Sequence, residues 1–292
     1  MSAGYFEVIS IERMQNTMAK KLSVKNKIIR NILAIMVSAF YLAPFYIIIS
    51  LSFKTKGDRS SHWTLPKSIS FEGYATAWEK GKIGLAIFNT LIITVLAVVI
   101  ILVIGSFASY PLARMKTKFN RLILTVFVTV MMVPPLSVLV PIYKEMVVLK
   151  GINTYWGIII LTATYALPRG VFMFTNFISA IPKELDEAAL IDGCSQFMVF
   201  PYIILPNMMP VVSSVAILTG VTIWNDFSFQ LYILQKPKMK TVTLAISSFF
   251  QEGKINLPAA AAAAVISVLP LAIIYICLQK YFVKGSMDSA VK

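Results

Sequence analysis

Negative charge is scarce in this chain. Its 292 residues include 13 Asp and Glu against 27 Lys and Arg, and charged residues make up only 14%, where a soluble domain carries roughly a quarter. With 58% hydrophobic residues and a mean hydropathy of +0.76, this excludes an ordinary soluble globular domain. Cysteine is nearly absent. Cys194 falls in a polar loop, in a small-residue slot after Gly193, and Cys277 falls in an apolar run, so the two are not read as a structural disulfide. The single histidine, His62, has no companion ligands, and no H-E-x-x-H, C-x-x-C or G-x-S-x-G occurs, which leaves no metal site or activated nucleophile to argue from. The phosphate-binding G-x-x-x-x-G-K-[ST] is missing too: Gly81-Lys82 and Gly253-Lys254 lack the upstream glycine and the Ser/Thr. The chain is therefore not expected to bind ATP by itself. The net charge of +14 does not indicate nucleic acid, because the basic residues are spread among loops without a stripe or interleaved aromatics.

What the chain has is long apolar runs exceeding the ~18 residues that span a bilayer. Six spans are expected, at about Asn31–Phe53 (broken at Pro44), Leu85–Leu112, Leu122–Tyr143 (interrupted by Pro134-Pro135 and Pro141), Tyr155–Ile178, Met208–Leu231 and Pro258–Phe282. The fold class is all-α, a polytopic membrane protein, divided into a polar, basic N-terminal segment (1–30), a six-span domain (31–283) and a short tail (284–292). The first 30 residues lack the apolar core and cleavage site of a signal peptide. An even number of spans puts both termini on one side, together with the short basic loop Arg114–Lys118. Lys and Arg divide almost evenly between the two sides, so only that short loop favours placing it inside. The alanine run Ala259–Ala264 suits close packing between helices.

Between the fourth and fifth spans lies Pro182–Pro206, where Glu184, Asp186, Glu187 and Asp192 gather in an otherwise apolar region. Pro182 suits a first helical position, the acids suit a helix N-terminus, and Gly193 suits the C′ position. Leu185, Ala188 and Ala189 share a stripe at helical spacing, nearly flat, which another protein surface could approach closely. An acid cluster by itself usually means no more than a solvated helix.

The order Glu187-Ala188-Ala189, Asp192-Gly193, Phe200 and Leu205-Pro206 resembles the EAA loop of ABC importer permeases. Asn89-Thr90-Leu91, Tyr110-Pro111-Leu112-Ala113-Arg114, Val133-Pro134-Pro135 with Pro141-Ile142-Tyr143, Trp224-Asn225, and Lys284-Gly285 with Ala290-Val291-Lys292 narrow the likeness to carbohydrate importers, the maltose-type second permease above all. Pro201 and Ser289 depart from the family pattern. The resemblance implies a type I importer fold in a prokaryotic cytoplasmic membrane, with both termini cytoplasmic and the loop at about 181–206 as coupling helix. Leu185, Glu187, Ala188, Ala189, Asp192 and Gly193 would contact the ATPase. It implies a sibling permease as heterodimer partner, two ATPase subunits that hold ATP and Mg, an extracytoplasmic solute-binding protein and a sugar substrate. The loop Gln235–Leu257 would face the binding protein, shorter here than in the maltose-type relative.

A substrate path needs polar groups at membrane depth. Candidates are Asn89, Thr164, Tyr165, Arg169, Asn176, Trp224, Asn225, Asp226 and Gln230, each of which could instead be glue between helices. Arg169, beside Pro168 at mid-span, costs about 2.5–3.5 kcal/mol on insertion scales and should face a cavity or a partner. Unpaired, it suits a carboxylate such as that of a uronic-acid sugar; paired with Asp226 or with span-end carbonyls, it would be structural and the substrate neutral. The other function class, an ion-coupled secondary transporter of a small polar solute, would need more buried ionisable groups and a repeat symmetry not evident here.

Overall fold

The computed structural model describes the backbone over residues 3–251 and 255–290, and side-chain surroundings over 26–251 and 255–276. Cys277 and the side chains of the tail 284–292 lie outside that set. Among the described residues every regular element is helical: α1 (Ala3–Ser52), α2 (Glu72–Glu79), α3 (Ile83–Arg114), α4 (Lys118–Met131), α5 (Leu139–Val148), α6 (Tyr155–Ala180), α7 (Glu184–Ile191), α8 (Gln196–Val199), α9 (Leu205–Asn207), α10 (Met209–Trp224), α11 (Ser228–Ile233), α12 (Val242–Ser247) and α13 (Leu257–Ala290). Four segments are long and apolar enough to cross a membrane: Asn26–Ser52, Ile83–Arg114, Tyr155–Ala180 and Leu257–Ile276. Two bent pairs, Lys118–Met131 with Pro135–Val148 and Gln196–Asn207 with Met209–Trp224, raise the count to six if each pair is one span.

The bends correct the expected spans. The third turns by 97° between α4 and α5, because Pro134 and Pro135 together remove two amide donors and bar the helical backbone before them. Pro141 causes no second break, since it lies in the first turn of α5, where its missing N–H would be unpaired anyway. Neither Pro44 nor Pro168 ends a helix: α1 and α6 run through them, as apolar helices in lipid often do. The fifth span begins and ends differently from the expected Met208–Leu231. A helical stretch with a wide π turn at Phe200–Ile204 precedes it, bent 72° from α10, and the chain leaves α10 at Trp224.

The core is built on α3 against α6, with α10 alongside. Ile93, Ala97, Ile101, Ile158, Phe174, Ile178 and Val215 are buried in its larger cluster. Gly170 of α6 lets the two helices approach, since a Cβ there would stand 2.9 Å from Ile101. Ser109 of α3 donates across to the Val171 carbonyl at 3.1 Å. At the end of the bundle away from α7, a second cluster packs Ala77, Ile83, Ala86, Trp224, Val242 and Phe249 around Ala259, Ala260, Ala262 and Ala263. The alanine run thus does what its size allows, bringing the start of α13 close to its neighbours. Lys54, fully buried, closes the loop after α1 by donating to Ser60 Oγ and the Ser61 carbonyl, both at 2.8 Å.

Gly73 seats α2 against α1 and α13: a Cβ would lie 2.9 Å from the Pro258 carbonyl oxygen and 3.2 Å from that of Ser52, and backbone cannot give way. Gly73→Val is expected to cost about 1–3 kcal/mol, read as a lower thermal unfolding midpoint in detergent. Gly57→Val, with open space around the new side chain, is expected to leave it unchanged.

Candidate functional site

The acidic stretch forms α7, an isolated two-turn helix. It starts at Glu184, with Lys183 rather than Pro182 leading in and accepting from the amides of Asp186 and Glu187. The acids crowd the first turn, where the helix dipole favours them. The stop has the geometry that the sequence implied. Gly193 takes φ +88°, its amide donates to Leu190 at 3.1 Å, and the Cys194 amide reaches back to Ala189 at 2.9 Å. This pair of bonds is a Schellman motif with glycine at C′. Cys194 packs on the larger core cluster, which also contains Ala189.

The stripe expected on α7 is split. Ala189 is buried at 6% exposure and faces the protein's own core, whereas Leu185, Glu187, Ala188 and Asp192 are exposed. The outward apolar surface is completed instead by Ile191 at 85% exposure and Phe197 at 92%. Bulky apolar side chains this bare, beside three exposed acids, mark a surface meant to be covered.

What holds α7 in place was not foreseen. Tyr110 and Arg114, one turn apart on α3, share a face and converge on Asp186. Arg114 binds the carboxylate through two nitrogens, Nε to Oδ2 at 2.9 Å and Nη2 to Oδ1 at 2.8 Å. Tyr110 Oη donates to Oδ2 at 3.1 Å. Nη1 of the same arginine donates to the carbonyls of Ile178 and Ile181 at 3.0 and 2.9 Å, closing the C-terminal end of α6, where a cation is favoured. One guanidinium therefore ties three helices. With side-chain exposures of 9% and 14%, this is the one ion pair among the described residues. Phe200, from the π turn, adds tilted ring contacts to Phe107 and Tyr110 at 4.9 and 5.5 Å. The sequence held one usable signal, the i, i+4 pair Tyr110 and Arg114 at the end of a span.

The substrate-path candidates divide. Asn89 is fully buried and committed: Nδ2 donates to the carbonyls of Lys238 and Lys240, and Oδ1 accepts from Tyr155 Oη at 2.6 Å. Gln230 is likewise spent, donating to the Ile223 carbonyl and accepting from Thr241 and Thr243. Both fasten the segment around Pro237–Thr243 to the bundle. Trp224 is buried in the second cluster. Asn225 is exposed and bonds back to the Val221 carbonyl, while Thr164 and Asn176 are exposed on α6. Asp226 does not pair with Arg169. Its carboxylate caps α11, accepting from the amides of Phe229 and Gln230 at 3.5 and 3.2 Å. That leaves Tyr165 and Arg169, one turn apart on α6, in a cleft of about 110 Å³ with Val130, Met131, Ala166, Thr219 and Thr222. Tyr165 Oη reaches the Val133 carbonyl at 3.0 Å, beside the bend of the third span.

Removing one member of a buried pair leaves the other charge uncompensated, which costs about 3–5 kcal/mol. Arg114→Met and Asp186→Asn are both expected to loosen α7, read as faster amide hydrogen exchange over Glu184–Ile191 in the purified protein. Arg114→Lys restores the charge but not the fork, and should recover little of the protection.

Known proteins share the sequence and the fold. A family model described as binding-protein-dependent transport system inner membrane component matches residues 101–287. The chain is 41% identical over 270 residues to the melibiose/raffinose/stachyose import permease protein MelC of Bacillus subtilis (strain 168), covering 92% of this chain and 98% of that protein. It is 34% identical over 267 residues to the probable starch degradation products transport system permease protein AmyC of Thermoanaerobacterium thermosulfurigenes, with coverages of 91% and 97%. A chain from the crystal structure of a bacterial ABC transporter involved in the import of the acidic polysaccharide alginate shares the fold, with a TM-score of 0.73, over 87% of this chain and 95% of that one, at 19% identity. An enzyme and an ion-coupled carrier are thereby set aside, and the chain belongs to the inner membrane component family of binding-protein-dependent transport systems, as a permease subunit of an ABC importer.

Proposed function

We propose that this permease forms one half of the membrane path of a sugar or short-oligosaccharide importer, paired with a sibling permease. Two ATPase subunits bind ATP and Mg on the cytoplasmic side and hydrolyse the ATP, and an extracytoplasmic binding protein delivers the sugar. The α7 end of the bundle, with both chain termini, lies on the cytoplasmic side, and the segment around Pro237–Thr243 faces out. The substrate class rests on relatives named for melibiose, raffinose and stachyose import and for transport of starch degradation products.

The observation that carries the mechanism is the joint at α7. A short helix with an exposed acidic and apolar face is fixed through Arg114 to the ends of α3 and α6. If the ATPases close on ATP and draw α7 with them, the joint carries the ends of α3 and α6 along. Access would then switch further along the bundle, at the bend beside Pro134-Pro135. Leu185, Glu187, Ala188, Asp192 and Phe197 would make the contact with the ATPase, while Ala189 and Gly193 would hold the shape of the helix.

The assembled complex in proteoliposomes tests this reading: sugar-loaded binding protein should stimulate ATP hydrolysis and sugar uptake together, and uptake that follows a proton gradient at constant ATP would contradict it. The joint has its own test. A left-handed residue with a side chain costs about 1 kcal/mol or more, and a Cβ at Gly193 meets nothing within 4 Å. Gly193→Val therefore strains only the backbone. It should leave membrane levels normal and cut uptake to below about a tenth, about 1.4 kcal/mol, whereas Gly193→Asn should retain most uptake because Asn tolerates this conformation. Glu187→Lys, reversing an exposed charge on the docking face, should lower uptake as far as Gly193→Val.

A further inference from the structure

The cleft holding Arg169 has a chemistry that the importer reading does not use. Arg169 sits near the middle of α6, exposed, with its guanidinium in no ion pair among the described residues. The carboxylate expected to neutralise it, that of Asp226, is occupied in capping α11. Every hydroxyl around Arg169 has already given its proton to the backbone. Thr219 donates to the Val215 carbonyl at 2.6 Å, Thr222 to Leu218 at 2.8 Å, and Tyr165 to Val133 at 3.0 Å. Their oxygens remain as acceptors. Thr219 is buried, so the cleft offers a ligand one planar cationic fork, the acceptor oxygens of Thr222 and Tyr165 and the ring of Tyr165, beside apolar Val130 and Met131.

A neutral sugar could use the acceptors and the ring, yet it would leave a net positive charge in a path from which passing substrate displaces water. A carboxylate answers the fork in bidentate geometry, and the hydroxyls of the same sugar ring can donate to the oxygens of Thr222 and Tyr165. We propose that this cleft is a station on the translocation path that takes the carboxylate of a uronic-acid-containing oligosaccharide, with Arg169 as its specificity-determining residue. The proposal rests on the importer reading and narrows its substrate class.

The test uses the complete complex, with its binding protein, in proteoliposomes. Three probes are compared: trigalacturonate, its carboxyl-reduced trisaccharide and raffinose. The expected result is ATP-driven uptake of trigalacturonate at least tenfold above either neutral sugar. Arg169→Gln should lose at least tenfold of that uptake at an unchanged membrane level, and Arg169→Lys should keep an intermediate rate. Wild-type uptake of raffinose or of the reduced trisaccharide equal to or above that of trigalacturonate would overturn the acidic-substrate inference and leave the importer reading standing. Unchanged trigalacturonate uptake in Arg169→Gln would overturn the assignment of the station. If none of the three sugars stimulates ATP hydrolysis or enters, the acidic-substrate inference fails, while the importer assignment, carried by the family and its relatives, stands. The wild-type comparison decides the substrate class even where a variant does not accumulate.

Discussion

Everything at the α7 end depends on one guanidinium. Arg114 is the last residue of α3, and its nitrogens are divided between the Asp186 carboxylate and two carbonyls at the end of α6. Without it, α7 would keep only the packing of Ala189 and the bond from Tyr110, and isolated helices of that length are not stable in water. Charge-assisted, bidentate bonds in a site shielded from solvent are among the stronger polar contacts available to a protein. They also fix direction, since the fork accepts a carboxylate in one plane only. A joint of this kind moves with the helices it binds, which is what transmission of force from a partner subunit requires.

The far end is organised by different means. There the polar side chains at membrane depth, Asn89 and Gln230, are consumed in fastening the Pro237–Thr243 segment to α3 and α10. The alanines of α13 permit close packing in place of polar bonds. The middle of the molecule lies between these two rigid ends, with the bends beside Pro134-Pro135 and at Met208 and the cleft containing Tyr165 and Arg169. Fastened ends joined by bent spans suit alternating access, because the bends are where the backbone ladder is already interrupted.

Local features were legible in the sequence and distant ones were not. Gly193 could be read as a left-handed stop because the reason is confined to a few neighbouring residues, and φ +88° bears that out. Pro134-Pro135 could be read as a break for the same reason. Pro44 resembled a break and is none, since a single lost bond in an apolar helix does not stop it. The Arg114–Asp186 pair joins residues 72 apart, a distance that spacing arguments do not reach, although both residues lay inside motifs that marked the family. The expected pairing of Arg169 with Asp226 failed because a closer claim on that carboxylate, the free amides at the start of α11, was invisible without the break after Trp224. Ala189 was placed on the outer stripe of α7 because spacing gives the stripe and not its direction; the core of the chain supplies the direction.

The central claim is that α7 moves as one body with the ends of α3 and α6. Spin labels at the exposed positions Leu190 on α7 and Met115 at the end of α3, read by pulsed dipolar spectroscopy in the assembled complex, address it directly. The account predicts one narrow distance distribution, the same without nucleotide and with ATP trapped, while the distance from Leu190 to its counterpart on the sibling permease shortens. A Leu190–Met115 distance that shifts or broadens on ATP binding would show α7 sliding on α3, and the joint at Arg114 would then not be what carries the motion.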